Sequence, residues 1–238
     1  MSRWSDPDDK QKSGHQYADG STVCSLCGFD NTGVKKIANM NDLCMFAANV
    51  KRGVSQYAVL TDDITIDDDA QWQQYGPVGT QSTNPYTDCE FDGQGHVITF
   101  AVTDSSTPHN LFGAVKNATI SNLCLTGELK SDTPYMAPLV NYVCGDQTDI
   151  HNCYSNVYID SQINGDGSHG GFVAVNQSKF LNFKDCQFDG IINVNGDASK
   201  GSNKYANGSC NRKIVMNGHI VIMNSRGEKF SIAGERIK

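Results

Sequence analysis

A pair of cysteines near the start of the chain is the first candidate for chemistry. Cys24 and Cys27 are separated by two residues and followed by Gly28, and His15 precedes them. Two thiolates at this spacing can bind one tetrahedral Zn²⁺ ion, and an imidazole can supply a third ligand. A fourth ligand is missing. Two interpretations therefore stay open: a zinc site formed by His15, Cys24 and Cys27, and a leader that carries two free thiols.

Aspartates are the second candidates, because paired carboxylates can bind Ca²⁺ or act as acid and base in glycoside hydrolysis. Residues 61–72, TDDITIDDDAQW, are rich in Asp but lack the spacing of a Ca²⁺-binding loop, so a solvated turn is the simpler interpretation. Four further aspartates lie near repeated positions: Asp160, Asp166, Asp185 and Asp189. A hydrolase would need two of these on neighbouring turns of the chain, and turn chemistry explains them equally well.

Tyrosines offer a third kind of site. Tyr135, Tyr142, Tyr154 and Tyr158 fall within one short stretch, and together they could line a face on which sugar rings stack. Strands favour tyrosine in any case, so a purely structural role is the alternative. The sequence shows neither the Gly-x-Ser-x-Gly elbow of a serine hydrolase nor a phosphate-binding loop.

The bulk composition limits the classes of function. The formal net charge is −7, and no arginine occurs between Arg52 and Arg212, which argues against nucleic acid as a partner.

No apolar run reaches the ~18 residues of a membrane-spanning helix. The polar first residues lack the apolar core of a signal peptide, so either the protein is cytoplasmic or the sequence begins inside a longer secreted chain. The nine cysteines are too widely spread for a small disulfide scaffold.

Composition divides the chain into four segments. Residues 1–36 form a polar leader that contains the cysteine pair. Residues 37–197 contain one helix followed by strand-like repeats. Residues 198–213 are a linker rich in Gly, Ser and Asn, and residues 214–238 predict a β-hairpin around the turn NSRG.

The helix is predicted within residues 37–53. Its apolar residues follow the i, i+3, i+4, i+7 spacing of one helical face. They are Leu43, Phe46, Ala47 and Val50. Asn41 is the predicted N-cap, and Gly53 supplies the residue after the C-cap. We expect this helix to cover one end of the fold.

Three segments that begin at Leu111, Leu139 and Phe172 follow a common plan. Each has a short apolar run, a polar turn, an apolar anchor residue and then alternating apolar and polar residues. A related segment, CEFDGQGHVITF at 89–100, opens the array. The aligned positions are Ile120, Ile150 and Phe183 as anchors, Asn122, Asn152 and Asp185 two residues later, and Leu123, Cys153 and Cys186 directly after those.

Such a repeat, of about 30 residues without a helical period, predicts one turn of a β-solenoid, in which equivalent residues stack in columns. The expected fold is therefore all-β, with roughly three to four turns. Leu123, Cys153 and Cys186 should form an inward-facing column. The alternative is an antiparallel β-sandwich, because strand signals alone do not distinguish the two folds.

The aligned repeats resemble the GLUG-motif proteins of bacterial cell surfaces, found in gut Bacteroidota and anaerobic Firmicutes. The family pattern is a Gly-Gly-Leu/Phe-Val start followed by an Ile-x-Asn-Cys step. The third repeat keeps the start at 170–173, and the second keeps the step at 150–153. The third repeat departs from the pattern at 184–186, and the second departs at 137–138. This resemblance implies a right-handed parallel β-helix and a role at the cell surface, and it implies no reaction. Together with the helix predicted from the spacing, the expected fold is a short right-handed parallel β-helix with an N-terminal capping helix.

Residues 217–238, NGHIVIMNSRGEKFSIAGERIK, are similar to the C-terminal sorting tails of Bacteroidota proteins exported by type IX secretion. The shared features are an Asn-Gly pair, an apolar strand, a basic Gly turn, a second strand and an Ile-Lys ending. This resemblance implies a secreted or cell-surface protein. We therefore expect that the sequence begins inside a longer secreted chain.

We therefore expect a non-catalytic, adhesin-like protein without a cofactor, unless zinc binds near the start. Its expected partner is a glycan or another macromolecule of a host or bacterial surface. The alternatives are a carbohydrate-active β-helix enzyme, either a hydrolase or a lyase, and a structural spacer. An enzyme should carry an acid pair across adjacent turns, a binding protein should expose aromatic residues along one face, and a spacer should show neither.

Overall fold

The computed structural model of the protein describes residues 33–81, 83–101, 110–163 and 168–200. It also describes the backbone of five later strands, which lie between residues 204 and 237.

The described residues form two short helices and many short strands. The helices are α1 (Met40–Lys51) and α2 (Asp69–Tyr75). The strands are β1 (Val34–Ile37), β2 (Tyr57–Leu60), β3 (Ile64–Ile66), β4 (Tyr86–Thr87), β5 (Glu90–Asp92), β6 (Val97–Phe100), β7 (Phe112–Lys116), β8 (Thr119–Ser121), β9 (Cys124–Ser131), β10 (Tyr135–Met136), β11 (Val140–Cys144), β12 (Gln147–His151), β13 (Tyr154–Ser155), β14 (Tyr158–Ser161), β15 (Ser168–His169), β16 (Val173–Asn176), β17 (Phe180–Lys184), β18 (Cys186–Phe188), β19 (Ile191–Val194), β20 (Asp197–Lys200), β21 (Lys204–Tyr205), β22 (Arg212–Met216), β23 (His219–Met223), β24 (Lys229–Phe230) and β25 (Arg236–Ile237).

Three sheets surround the core. Sheet one has the order β1-β2-β5-β8-β12-β17, and sheet two has the order β16-β11-β7-β4. Sheet three contains β3, β6, β9, β13, β14, β18 and β19, with β20 and β21 at its ends. The chain passes through sheets two, one and three in turn and then returns to sheet two, and its successive passes pair in parallel. The fold is a β-solenoid of about four turns, so the expected solenoid is confirmed and the antiparallel sandwich is wrong.

The complete turns run from β4 to β6 (turn one), β7 to β9 (turn two), β11 to β14 (turn three) and β16 to β19 (turn four). Their register matches the alignment predicted from the sequence. Ile150 pairs with both Ile120 and Phe183. Leu123, Cys153 and Cys186 are each at most 1% exposed, so the predicted inward column is confirmed.

One residue in the left-handed region of backbone space forms each corner between sheets one and three in the last three turns. Asn122, Asn152 and Asp185 all have φ of 53°. Asn and Asp tolerate this region better than other residues that carry a Cβ. The corner also bonds to the next turn: the backbone N–H of Asn122 donates to the carbonyl of His151 (3.2 Å), and that of Asn152 donates to the carbonyl of Lys184 (2.9 Å).

Side-chain amides join successive corners. Asn152 Nδ2 donates to Asn122 Oδ1 at 2.5 Å, and Asn122 Nδ2 donates to Asp92 Oδ1 at 2.9 Å. The corner between sheets two and one repeats the arrangement, because Asp88 and Asn117 both have φ of 51° and Asn117 Nδ2 donates to Asp88 Oδ1 at 3.1 Å. The polar residues of the repeat therefore set both the direction of the chain and its alignment with the next turn.

The cysteines that follow these corners act as small buried side chains that can donate a hydrogen bond. Cys153 Sγ donates to the carbonyl of His151 at 3.4 Å, and Cys186 Sγ donates to that of Lys184 at 3.4 Å. Cys186 Sγ also contacts the carbonyl of Ile150 on the previous turn at 3.4 Å. A thiol therefore fills a core position and bonds to backbone near the corner, which an aliphatic side chain cannot do.

Packing explains why the second glycine of the Gly-Gly start is kept in turn four and lost in turn three. A Cβ added to Gly171 would collide with the ring of Phe188. The register places Pro138 at the equivalent position of turn three, and there the residue equivalent to Phe188 is Ser155. The smaller serine leaves room for a residue that carries a Cβ.

Helix α1 begins at a different cap from the predicted one. The N-cap is Asn39, whose Oδ1 accepts from the backbone N–H of Asp42 at 3.0 Å, and the prediction of Asn41 is wrong. Asp42 lies three residues after Asn39, so its carboxylate can accept from the backbone N–H of Ala38 (3.1 Å) and complete a reciprocal cap. Gly53 follows the C-cap with φ of 88°, as expected.

The apolar face of α1 packs on turn one. Its predicted residues Leu43, Phe46, Ala47 and Val50 are fully buried. The ring of Phe46 lies 5.7 Å from that of Tyr86 and 6.1 Å from that of Phe91, measured between centroids. The helix therefore covers the N-terminal end of the solenoid core.

The second half of the acidic segment is a helix, so the interpretation of residues 61–72 as a solvated turn is wrong there. Asp68 is the N-cap of α2, and its Oδ1 accepts from the backbone N–H of Gln71 at 2.9 Å. Trp72 is fully buried. At seven residues, α2 is too short to show a helical period in the sequence.

The strands that follow turn four pair in an antiparallel manner. β20 pairs with β19, and β21 pairs with β18. β22 to β25 form a separate four-stranded sheet, in which Ile222 pairs with Phe230. Neither helix in the described part of the chain is long and apolar enough to cross a membrane.

Replacing Asn152 tests the role of the corner column. Asn152→Ala should lower the free energy of unfolding by about 2–3 kcal/mol, because a left-handed alanine costs roughly 1–2 kcal/mol and a lost hydrogen bond adds about 1. Asn152→Gly relieves the backbone strain and should cost about 1 kcal/mol. Urea unfolding measures the free energy of unfolding of both variants. If Ala and Gly lower this free energy equally, the backbone conformation at this corner is unimportant.

Thiol reactivity tests the buried cysteines. Burial raises the pKa of the Cys44 thiol to about 11, and the neighbouring Cys186 thiol together with burial raises the pKa of Cys153 well above its usual value. Because only the thiolate reacts, both thiols should resist iodoacetamide at mildly alkaline pH in the folded protein and react readily once it is unfolded. Peptide mass spectrometry measures the labelling, and rapid labelling of Cys153 in the folded state would contradict its placement.

A candidate ligand-binding face

The outer face of turn three carries two of the predicted tyrosines. Along β13 and β14 every second residue is buried. The buried residues are Cys153, Ser155, Val157, Ile159 and Ser161. Because side chains alternate across a strand, Tyr154, Asn156, Tyr158 and Asp160 point to the outside. All four are at least partly exposed.

Turn four extends this face. Gln187 pairs with Tyr154, Ile191 pairs with Tyr158, and Asn193 pairs with Asp160. We call the combined surface the tyrosine face. It consists of Tyr154, Asn156, Tyr158 and Asp160 from turn three and Gln187, Asp189, Ile191 and Asn193 from turn four.

Hydrogen bonds hold the polar groups of the tyrosine face in place. Asn193 Nδ2 donates to Asp160 Oδ1 at 2.8 Å and lies 3.4 Å from the hydroxyl oxygen of Tyr158. Gln187 Nε2 donates to Asp189 Oδ1 at 2.8 Å. The face thus presents aromatic rings beside amides and carboxylates whose positions are fixed by the sheet and by each other.

An ion pair borders the face on turn two. Glu128 pairs in register with Tyr158, and Lys130 pairs with Asp160. Lys130 Nζ lies 3.1 Å from Glu128 Oε1, and both side chains are about half exposed, so the pair adds little to stability. Its two charges neutralise each other beside the tyrosines.

The other two predicted tyrosines lie elsewhere. Tyr135 is on β10 and Tyr142 is on β11, and their rings meet edge to face with centroids 6.1 Å apart. Tyr135 is 42% exposed. The structure therefore divides the four predicted tyrosines into two pairs, and only Tyr154 and Tyr158 share a face.

Each described aspartate that was considered as a catalytic acid lies opposite an asparagine of the neighbouring turn. The aligned partners are Asn193 for Asp160, Asn152 for Asp185 and Asn156 for Asp189. Asp166 lies outside the described residues. Among the three described candidates, therefore, none is matched by a carboxylate at the aligned position of the neighbouring turn.

The predicted zinc ligands His15, Cys24 and Cys27 lie outside the described residues. Within the part of the chain that the structure does describe, no group of three or more His, Cys, Asp or Glu side chains could hold a metal ion.

Sequence reasoning missed Gln187, Ile191 and Asn193 as members of the face. The signal was available, because Asp160 and Asn193 stand at the same distance after the aligned cysteines Cys153 and Cys186. Extending the repeat alignment beyond the anchor residues would have placed them side by side.

Comparisons with known proteins add little. No protein-family model matches the chain. No curated protein matches it. A crystal structure from Bacteroides ovatus, named as a "putative immunoglobulin A1 protease", aligns with 16% sequence identity over 71% of this chain and 79% of that chain. The TM-score is 0.32, which is too low to support an argument about fold or function.

Proposed function

We propose that this chain is a non-catalytic glycan-binding module of a secreted or cell-surface, adhesin-like protein. The observation that carries the proposal is the tyrosine face. Two tyrosines lie there on one side of a sheet, beside hydrogen-bonded amide and carboxylate groups on the same and the next turn.

The chemistry of the tyrosine face fits a sugar. One face of a sugar ring presents C–H groups that pack on an aromatic ring, while its hydroxyl groups need both donors and acceptors. Tyr154 and Tyr158 provide the rings. Asp160 and Asp189 provide acceptors, and Asn193 provides an amide. Because these groups sit on paired strands, little side-chain order remains to be lost on binding.

Charge favours a neutral glycan. The chain has a formal net charge of −7, and the face itself carries two carboxylates. Lys130, the cation that borders it, is paired with Glu128. An anionic glycan would meet repulsion at this surface, whereas a neutral one needs only hydroxyl and C–H contacts.

The cellular location rests on the two resemblances in the sequence. The repeats resemble those of GLUG-motif surface proteins, and residues 217–238 resemble a type IX sorting tail. Both support an exported protein, for which a glycan of a host or bacterial surface is an accessible partner.

Affinity electrophoresis through gels that contain galactomannan or xyloglucan, both of them neutral polysaccharides, tests the proposal. At least one gel should retard the chain without loss of the polysaccharide. Tyr158→Ala should raise the Kd about tenfold, which corresponds to about 1.4 kcal/mol, while Tyr158→Phe keeps the ring and most of the affinity.

Tyr135→Ala is the matched control, because it removes an exposed tyrosine outside the face. Equal retardation of wild type and Tyr158→Ala, or loss of binding only in Tyr135→Ala, would contradict the assignment of the face. Clearing of the polysaccharide would show an enzyme instead, and no retardation in any gel would remove the glycan proposal.

A further inference from the structure

Phe180 is exposed on a different sheet from the tyrosine face. It begins β17, the strand of turn four in sheet one, and it is 62% exposed. Tyr135 and Phe180 are the large hydrophobic side chains that are exposed in the described residues. A single exposed apolar ring is common on protein surfaces, so the groups around Phe180 decide whether it belongs to a binding site.

A rigid polar array lies beside this ring. Phe180 pairs with Gln147 of turn three, and Asn182 pairs with Asp149. Gln147 Nε2 donates to Asp149 Oδ2, and Asn182 Nδ2 donates to Asp149 Oδ1, each at 2.8 Å. We call these four residues the Phe180 patch: Phe180 and Asn182 of turn four, with Gln147 and Asp149 of turn three.

The patch repeats the chemistry of the tyrosine face. Both combine an aromatic ring with an aspartate that accepts from an asparagine of the next turn, namely Asn182 to Asp149 here and Asn193 to Asp160 there. Asn182 and Gln147 keep further donor and acceptor positions that are not used in this array. Charges of both signs lie around the patch, because Lys179 Nζ lies 2.6 Å from Asp146 Oδ1. Lys184 follows Asn182 by two residues on the same side of β17, and Asp149 is the carboxylate of the patch itself. A neutral polyhydroxy ligand therefore fits the Phe180 patch better than an ion does.

We propose that the Phe180 patch is a second site for a neutral glycan, so that one chain holds two glycan segments and can cross-link a polysaccharide. This inference rests on the proposed function of the tyrosine face. The two sites lie on separate sheets, with the left-handed corner at Asp185 between β17 and β18. Because the three sheets enclose one core, they face different directions, and one straight glycan segment cannot contact both sites.

NMR titration of the full chain separates the two sites, because the side-chain amides of Asn182 and Asn193 report on them individually. The probes are short oligosaccharides of galactomannan and xyloglucan. In wild type both amide signals should shift. In Phe180→Ala the Asn193 signal should shift as in wild type, whereas the Kd measured at the Asn182 signal should rise at least tenfold. In Tyr158→Ala the Asn182 signal should shift as in wild type, whereas the Kd measured at the Asn193 signal should rise about tenfold. Phe180→Tyr keeps an aromatic ring and should keep binding at the patch.

Cross-linking gives a second readout. Wild type should make a solution of the intact polysaccharide turbid, whereas Phe180→Ala should stay bound to it in gels without producing turbidity.

In the NMR titration, a shift of the Asn193 signal alone in wild type would overturn the second site and leave the proposed function intact. If neither signal moves, both proposals fail. A wild-type dimer that Phe180→Ala converts to a monomer, in sedimentation without glycan, would assign the patch to self-association and overturn the inference.

Discussion

The left-handed residue at each corner is the constraint on which the solenoid depends. A chain that passes from one sheet to the next without a long loop must bend within one residue, and in the last three turns Asn122, Asn152 and Asp185 make this bend at the same φ. Most residues with a Cβ would pay roughly 1–2 kcal/mol in this conformation. Asn is favoured because it tolerates the conformation and because its amide can also bond to the neighbouring corner, as Asn152 does to Asn122.

The same constraint determines what the surface can do. Once the corners are stacked, each residue between them has a fixed partner on the next turn and a fixed side of the sheet. Tyr158 must then lie beside Ile191, and Asp160 must lie beside Asn193. The repeated use of Asn opposite Asp also places an amide beside each of the three described candidate acids, Asp160, Asp185 and Asp189.

Features that recur in the sequence could be predicted, and so could α1, whose apolar residues follow a full helical period. Short features that occur once could not. The anchors, the corners and the inward column were predictable because each recurs in three turns, and a one-residue error would move the buried residues to the outside. Helix α2 was not predictable, because it is short and its single buried tryptophan has no repeated counterpart. The cap at Asn39 was missed because Asn41 is an equally good capping residue by type. The two differ in that Asp42 lies three residues after Asn39 and bonds to the backbone at that end of the helix. The tyrosines could be identified but not grouped, since the sequence does not show that neither β10 nor β11 lies in the sheet that contains β13 and β14.

The register between turns three and four is the central claim, and disulfide trapping tests it most directly. Paired positions on adjacent strands lie about 4.8 Å apart, within the range that a disulfide can bridge, whereas positions two residues out of register do not. The measurement compares Asp160→Cys combined with Asn193→Cys against Asp160→Cys combined with Ile191→Cys, by peptide mapping under non-reducing conditions. The structure predicts an efficient link between positions 160 and 193 and little between 160 and 191. Preferential linking of 160 to 191, or equal linking of both pairs, would contradict the register and with it both proposed glycan sites.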